Sequence, residues 1–156
     1  MAKIAKVLKI DIGMIRKLRE ESGAPVVRVK KVLEEFKGNE AKALEFLKKE
    51  GFEKAEKREG RETGQGKVFS YVHHNGKVAT LVELLCETDF VARNELFETL
   101  GKNLAMQVAS MGDKDLEKQE FIKEPEKKIA DLVKEVIAKT GENVKIGRVM
   151  RIELGK

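Results

Sequence analysis

One dipeptide constrains this chain more than any other. Asn75-Gly76 sits between two runs of alternating residues. Asn-Gly is the strongest short-range signal for a tight β-hairpin, because both residues tolerate positive φ. The first run sets Val68, Ser70, Val72 and His74 against Phe69, Tyr71 and His73. The second is apolar on both faces, with Val78, Thr80, Val82, Leu84 and Cys86 one way and Ala79, Leu81 and Leu85 the other. Such a strand needs cover on both sides. A helix on one side and a second subunit on the other would supply it.

The residues after the hairpin predict that cover. Phe97, Leu100, Leu104, Val108 and Met111 line one face of a helix over 94–111. A polar connector spans 112–120, and Pro125 is read as opening a second helix with Ile129, Leu132, Val133, Val136 and Ile137 in register. Gly141 stops it. A last strand over 144–154 places Ile146, Arg148, Met150, Ile152 and Leu154 on one side. Residues 67–156 thus read as an α+β core, a three-stranded antiparallel sheet packed on helices.

Residues 1–52 read differently. Ile12, Ile15 and Leu18 recur at helical spacing before Gly23. Pro25 suits the first turn of a second helix with Val26, Val29, Val32, Leu33 and Phe36 as its stripe, stopped by Gly38. Asn39 caps a third, carrying Ala43, Leu44 and Leu47 and ending at Gly51. Three helices this short pack as a compact bundle. Residues 53–66 form a charged helical linker, nearly all charge to Glu62 and then punctuated by Gly64 and Gly66.

Charge separates the same regions. Residues 1–60 hold 16 Lys/Arg and 11 Asp/Glu, whereas 61–156 hold 16 of each, so the formal +5 resides in the N-terminal part. A basic module suits an anionic partner surface, and a small basic binding module for nucleic acid or another protein is the alternative reading. Sheet-borne stacking aromatics would mark the nucleic-acid case, and only Phe69 and Tyr71 qualify. No apolar run approaches the roughly 20 residues of a membrane helix. Ile4, Val7 and Leu8 are interleaved with lysines, which argues against a leader segment. A single cysteine, Cys86, leaves no internal disulfide or multi-cysteine zinc site. These features predict a cytoplasmic protein.

Little here suggests covalent chemistry. His73 and His74, adjacent on a strand, point to opposite faces and cannot chelate one ion. Cys86 with a histidine lacks a third, orienting group. Gly64-Gln65-Gly66-Lys67 precedes a strand and lacks the spacing of a phosphate loop. Adjacent Glu34 and Glu35 do not face one another. Arg28, Lys30 and Lys31 form a basic cluster whose default is a solvated helix face. The unusual stretch is 86–95, joining a buried strand to a long helix. There Phe90 is either a hydrophobic staple or a projecting anchor, and Asp89 either a cap or a charge shown to a partner. Elementary physics favours staple and cap.

Three segments carry a resemblance. LVELLCETDFVARNELF is similar to the central signature of the elongation factor Ts family, nearly residue for residue. IRKLREESGAPVVRVKKVLEEFKGNEAKALEFLKKEG resembles that family's N-terminal module, a three-helix bundle of the ubiquitin-associated (UBA-like) type, and KTGENVKIGRVMRIELG its closing segment. The resemblance implies a guanine nucleotide exchange factor in translation elongation, acting by binding without covalent catalysis, cofactor or metal of its own. Its partner would be the GTPase domain of elongation factor Tu, with no membrane or direct nucleic-acid partner. Thr88, Asp89, Phe90 and Val91 would form the wedge that disturbs the partner's magnesium site and so releases GDP. Gly23, Ala24, Lys30 and Lys31 would be the N-terminal contacts, although Pro25, Val26, Val27 and Arg28 stand where the family usually has Gly-Met-Met-Asp. The chain is also short between its long helix and the Gly-Glu-Asn segment. One core subdomain is implied, which a homodimer through the sheet would complete.

Overall fold

The computed structural model describes residues 9–156. Ile4, Val7 and Leu8 lie outside the described residues. Helix α1 (Ile12–Ser22) starts where the Asp11 carboxylate accepts from the Met14 N–H at 2.8 Å, and ends at Gly23 with φ 71°. Pro25 is not the first helical residue but the extended one before α2 (Val26–Glu35). Asn39 caps α3 (Glu40–Glu56) through the Lys42 N–H. Leu18, Val29, Val32, Leu33, Ala43 and Leu47 close the bundle core. Ile12 and Val26, expected in its stripes, are exposed.

Helix α3 does not stop at Gly51. It continues to Glu56, burying Ala55 in the core of the second half. Gly51 serves instead as a point of close approach: a Cβ there would lie 3.1 Å from the Ala138 Cβ. The charged residues beyond are tied down by Asn143, whose side-chain amide donates to the carbonyls of Glu59 and Arg61 at 3.2 and 2.8 Å.

The second half runs β1 (Gln65–Val72), β2 (Val78–Cys86), α4 (Asp89–Ala92), α5 (Glu95–Met111), a 3-10 turn (Leu116–Lys118), β3 (Glu120–Phe121), β4 (Glu124–Lys128), α6 (Ile129–Thr140) and β5 (Val144–Glu153). The fold is α+β, with β1-β2-β5 forming the expected three-stranded antiparallel sheet. Phe69, Val82, Leu84 and Cys86 face inward onto Phe97, Leu104, Val108 and Ile137. Met111, expected on the buried face of α5, is exposed.

The hairpin loop is wider than two residues. His73 N–H donates to the Val78 carbonyl at 2.9 Å and Gly76 N–H to the His73 carbonyl at 2.8 Å, leaving four residues in the loop. His73 and His74 therefore leave the strand, and their rings lie 4.2 Å apart rather than on opposite faces.

Pro125 opens no helix; it lies in β4, which pairs with β3 in a small second sheet. Buried Gln107 holds that hairpin, donating to the Glu120 carbonyl and accepting from the Ile122 N–H, each at 3.0 Å. The helix begins only at Ile129, where the Lys128 N–H donates to Asp131. β5 also does not keep one face. Its register with β2 slips between Val82 and Leu84. Ile146 therefore faces inward with Leu84, and after the slip Val149 faces inward while Met150 and Ile152 point out. Gly147 lies at this irregularity, against the Glu83 side chain.

Candidate partner-binding site

The stretch after β2 folds into one short helical turn. Thr88 is its N-cap, accepting from the Val91 N–H at 3.4 Å. Val91 and Ala92 turn into the core. Phe90, between them and the cap, points out and is 80% exposed. It is not a staple. A phenyl ring so exposed forfeits the roughly 2 kcal/mol its burial would supply. Asp89 is not the cap either; its carboxylate accepts from Arg93 at 2.8 Å, one turn on. The cap is the hydroxyl before it.

Thr88 is held from across the sheet. Its N–H and hydroxyl donate to the two oxygens of the Glu142 carboxylate at 3.0 and 2.6 Å. In return, the Asn143 N–H donates to the Glu87 carboxylate at 2.7 Å. Arg61 lies 3.6 Å from that carboxylate. Nothing in local periodicity marks Glu142 and Asn143; only the resemblance of the Gly-Glu-Asn segment draws attention to them.

The N-terminal candidates lie on the bundle. Lys30 and Lys31 are exposed on α2, and Ala24 is half-buried against the bundle core. Gly23 meets α6, where a Cβ would come within 2.8 Å of the Lys139 Cα. So the structure gathers residues 88–91 in one turn and keeps Gly23, Ala24, Lys30 and Lys31 apart from it. The end of α6 touches both groups, Lys139 against Gly23 and Glu142 on Thr88.

Arg28 is used internally. Its guanidinium donates from Nε and Nη2 to the Glu50 carboxylate at 2.8–3.1 Å and lies 5.6 Å from the centre of the Phe46 ring. The hydrogen bonds from Arg28 hold the Glu50 carboxyl below the ordinary carboxylate range, against a smaller opposing effect of burial. A carboxyl lowered in the folded state stabilises it above the unfolded pKa, about 4.3, and loses that contribution as pH falls through its folded value. Glu50→Gln is therefore expected to melt below wild type at pH 7 and together with it near pH 2, which thermal melts across that range would check.

Cys86 is buried, and its thiol donates to the Thr88 carbonyl at 3.0 Å. Burial, and then the Glu142 charge, push its pKa up. His73 neighbours Val78 at the other end of β2, eight residues from Cys86 and so about 26 Å away. Cys86 and the histidines form no pair. Cys86 is expected to react with a thiol reagent at pH 8 at least tenfold more slowly in native than in unfolded protein, by absorbance. Among the described residues no cluster of three His, Cys, Asp or Glu could hold a metal, and no helix is long and apolar enough to cross a membrane.

Fold and site together form a three-helix bundle braced on an α+β core that presents a phenyl ring to solvent. Comparison with known proteins makes the assignment specific. The family model described as Elongation factor TS matches residues 87–156. The Elongation factor Ts of Thermotoga neapolitana is 37% identical over 195 aligned positions, covering 96% of this chain and 99% of that protein. That of Leptospira biflexa is 40% identical, covering 95% and 99%. The chain belongs to the elongation factor Ts family, a family of translation elongation factors. The alignment of 195 positions is longer than this chain's 156 residues, so the chain is shorter than that relative.

Proposed function

We propose that this chain acts in the cytoplasm as a guanine nucleotide exchange factor, binding elongation factor Tu·GDP and promoting GDP release without covalent catalysis. The observation that carries the reading is Phe90, exposed on a turn whose flanking residues are anchored. Thr88, Asp89, Phe90 and Val91 form the wedge. The ring enters the GTPase domain and displaces the surroundings of its magnesium ion. Mg²⁺ demands near-ideal octahedral geometry, so a small shift of its ligands costs much nucleotide affinity. Linkage makes the effect reciprocal: the factor binds tightest to the nucleotide-free GTPase, and rebinding of nucleotide expels it. Residues 1–52 form the second contact through Gly23, Ala24, Lys30 and Lys31. Residues 53–66 connect that module to the exchange core, 67–156.

Stopped-flow release of fluorescent GDP from elongation factor Tu, at fixed magnesium, tests this. Strong acceleration on adding the chain is expected; a folded chain without effect would refute it. The nucleic-acid reading has less support, because Phe69 is buried, Tyr71 packs against the core, and the outer sheet face carries aliphatic residues and the Glu83–Arg148 ion pair but no aromatic ring.

That outer face carries the dimer. Val68, Val72, Leu81, Met150 and Ile152 are all exposed there, with Leu81 opposite Met150 across the β2–β5 ladder. A strip of apolar strand residues is self-complementary about a twofold axis, so a second copy is the occupant. Light scattering at micromolar concentration is expected to give about twice 17.6 kDa and to return to the monomer mass for Leu81→Lys. A monomeric wild type would overturn the dimer alone.

A further inference from the structure

We propose that Glu142 is a positioning residue for Phe90, an inference that rests on the wedge reading above. An exposed ring has no packing of its own to hold its direction, so the backbone on either side must hold it. On one side Val91 and Ala92 are buried in the core. On the other the chain is held at Thr88, whose carbonyl accepts from the Cys86 thiol and the Ala92 N–H and whose N–H and hydroxyl both donate to Glu142.

The arrangement follows from where the sheet ends. Cys86 and Val144 are the last register partners of β2 and β5. Beyond them two carboxylates take over as acceptors from the missing carbonyls. Glu87 accepts from the Asn143 N–H, and Glu142 from the Thr88 N–H. The exchange is reciprocal, so the two chain ends are braced by side chains where the ladder stops. Glu142 does more than replace one carbonyl. Its second oxygen accepts the Thr88 hydroxyl proton, which leaves a lone pair of that hydroxyl for the Val91 N–H and so completes the cap of α4. Hydrogen bonds to a charged group are about twice as strong as neutral ones. Remove the carboxylate and both Thr88 donors lose their acceptors. The cap then rotates, and Phe90, two residues on, samples many directions before it meets a partner. A ring that also wanders in the bound complex is aligned for displacement only part of the time, so the loss falls on the maximal exchange rate, while the rest of the surface still supplies docking.

The chain has no Trp, so Phe90→Trp introduces a lone indole at the wedge position. Its steady-state anisotropy is expected to fall when Glu142→Ala is added, with far-ultraviolet circular dichroism unchanged. In GDP release, Glu142→Ala is expected to lower the plateau rate at saturating factor about tenfold while moving the half-saturating concentration less than about twofold. Glu142→Gln, which keeps one of the two acceptor oxygens, should lose about threefold and serves where the alanine variant folds poorly. In a Phe90→Ala background, Glu142→Ala should add almost nothing, because both act through one ring. Unchanged anisotropy, an unchanged plateau, or losses that multiply in the double variant would each overturn the proposal. If Phe90→Ala alone leaves exchange intact, the wedge reading falls and the proposal with it. If Phe90→Ala slows exchange and Glu142→Ala does not, only the proposal falls.

Discussion

Phe90→Ala is expected to slow the acceleration of GDP release roughly 30-fold and to leave the melting temperature nearly unchanged. The two halves of this expectation have separate causes. The ring is 80% exposed in the free protein, so deleting it removes almost no native packing. Surface substitutions of this kind stay within about 0.5 kcal/mol. On the proposed wedge reading the ring is buried in the partner, and burial of a Phe side chain is worth about 2 kcal/mol. At about 1.4 kcal/mol per tenfold, that is the stated factor. The effect should be read at fixed magnesium, since the proposed wedge acts through that ion. A fall of several degrees in melting temperature would show a ring that packs on its own chain and acts as a staple.

Gly101→Ala should destabilise the core even though the glycine sits within a helix. At an ordinary exposed helix position the exchange gains about 1 kcal/mol, because alanine is the better helix former. Here Gly101 is buried in α5 and faces Phe69 of β1, and a Cβ would overlap the phenyl ring. Phe69 is itself enclosed, 6.0 Å centre to centre from Phe97. The ring has nowhere to retreat. Overpacking costs about 1–3 kcal/mol, occasionally more, and the enclosed ring places this site toward the upper end. A net loss of about 2 kcal/mol lowers the melting temperature by roughly 4–8 °C for a chain of this length. Phe69→Leu should relieve part of the clash, so the double variant should melt higher than the sum of the single losses implies. A melting temperature that stays or rises in Gly101→Ala would refute this account of the α5–β1 contact.

How much was legible in the sequence depended on the range of the interaction. The caps at Asp11 and Asn39, the left-handed glycines 23 and 141 and the hairpin all follow from residues within a few positions of each other. The bundle core was readable for the same reason, since Val29, Val32 and Leu33 lie at helical spacing. Reading failed where a local signal met a distant partner. Gly51 looked like a helix stop, but α6 approaches it through Ala138. Pro125 looked like a helix start, but Gln107, eighteen residues earlier, fastens its hairpin. β5 looked like one continuous alternation, but the slip against β2 moved Ile146 inward. Phe90 looked like a staple, because the local pattern gives no account of how Val91 and Ala92 fill the core instead.

The sequence by itself determined the α+β arrangement, the three helices of the bundle, the three strands of the main sheet, and the signature that places the chain in its family. Those depend on periodicity, capping and residue order, which are properties of neighbouring residues. Only the tertiary structure decided that Phe90 faces solvent, that Arg28 answers Glu50, and that Glu142 holds Thr88 fifty-four positions away. Each of these requires two segments remote in the chain to meet with their donors and acceptors aligned. That alignment is set by the packing of the sheet on its helices, and no local pattern encodes it.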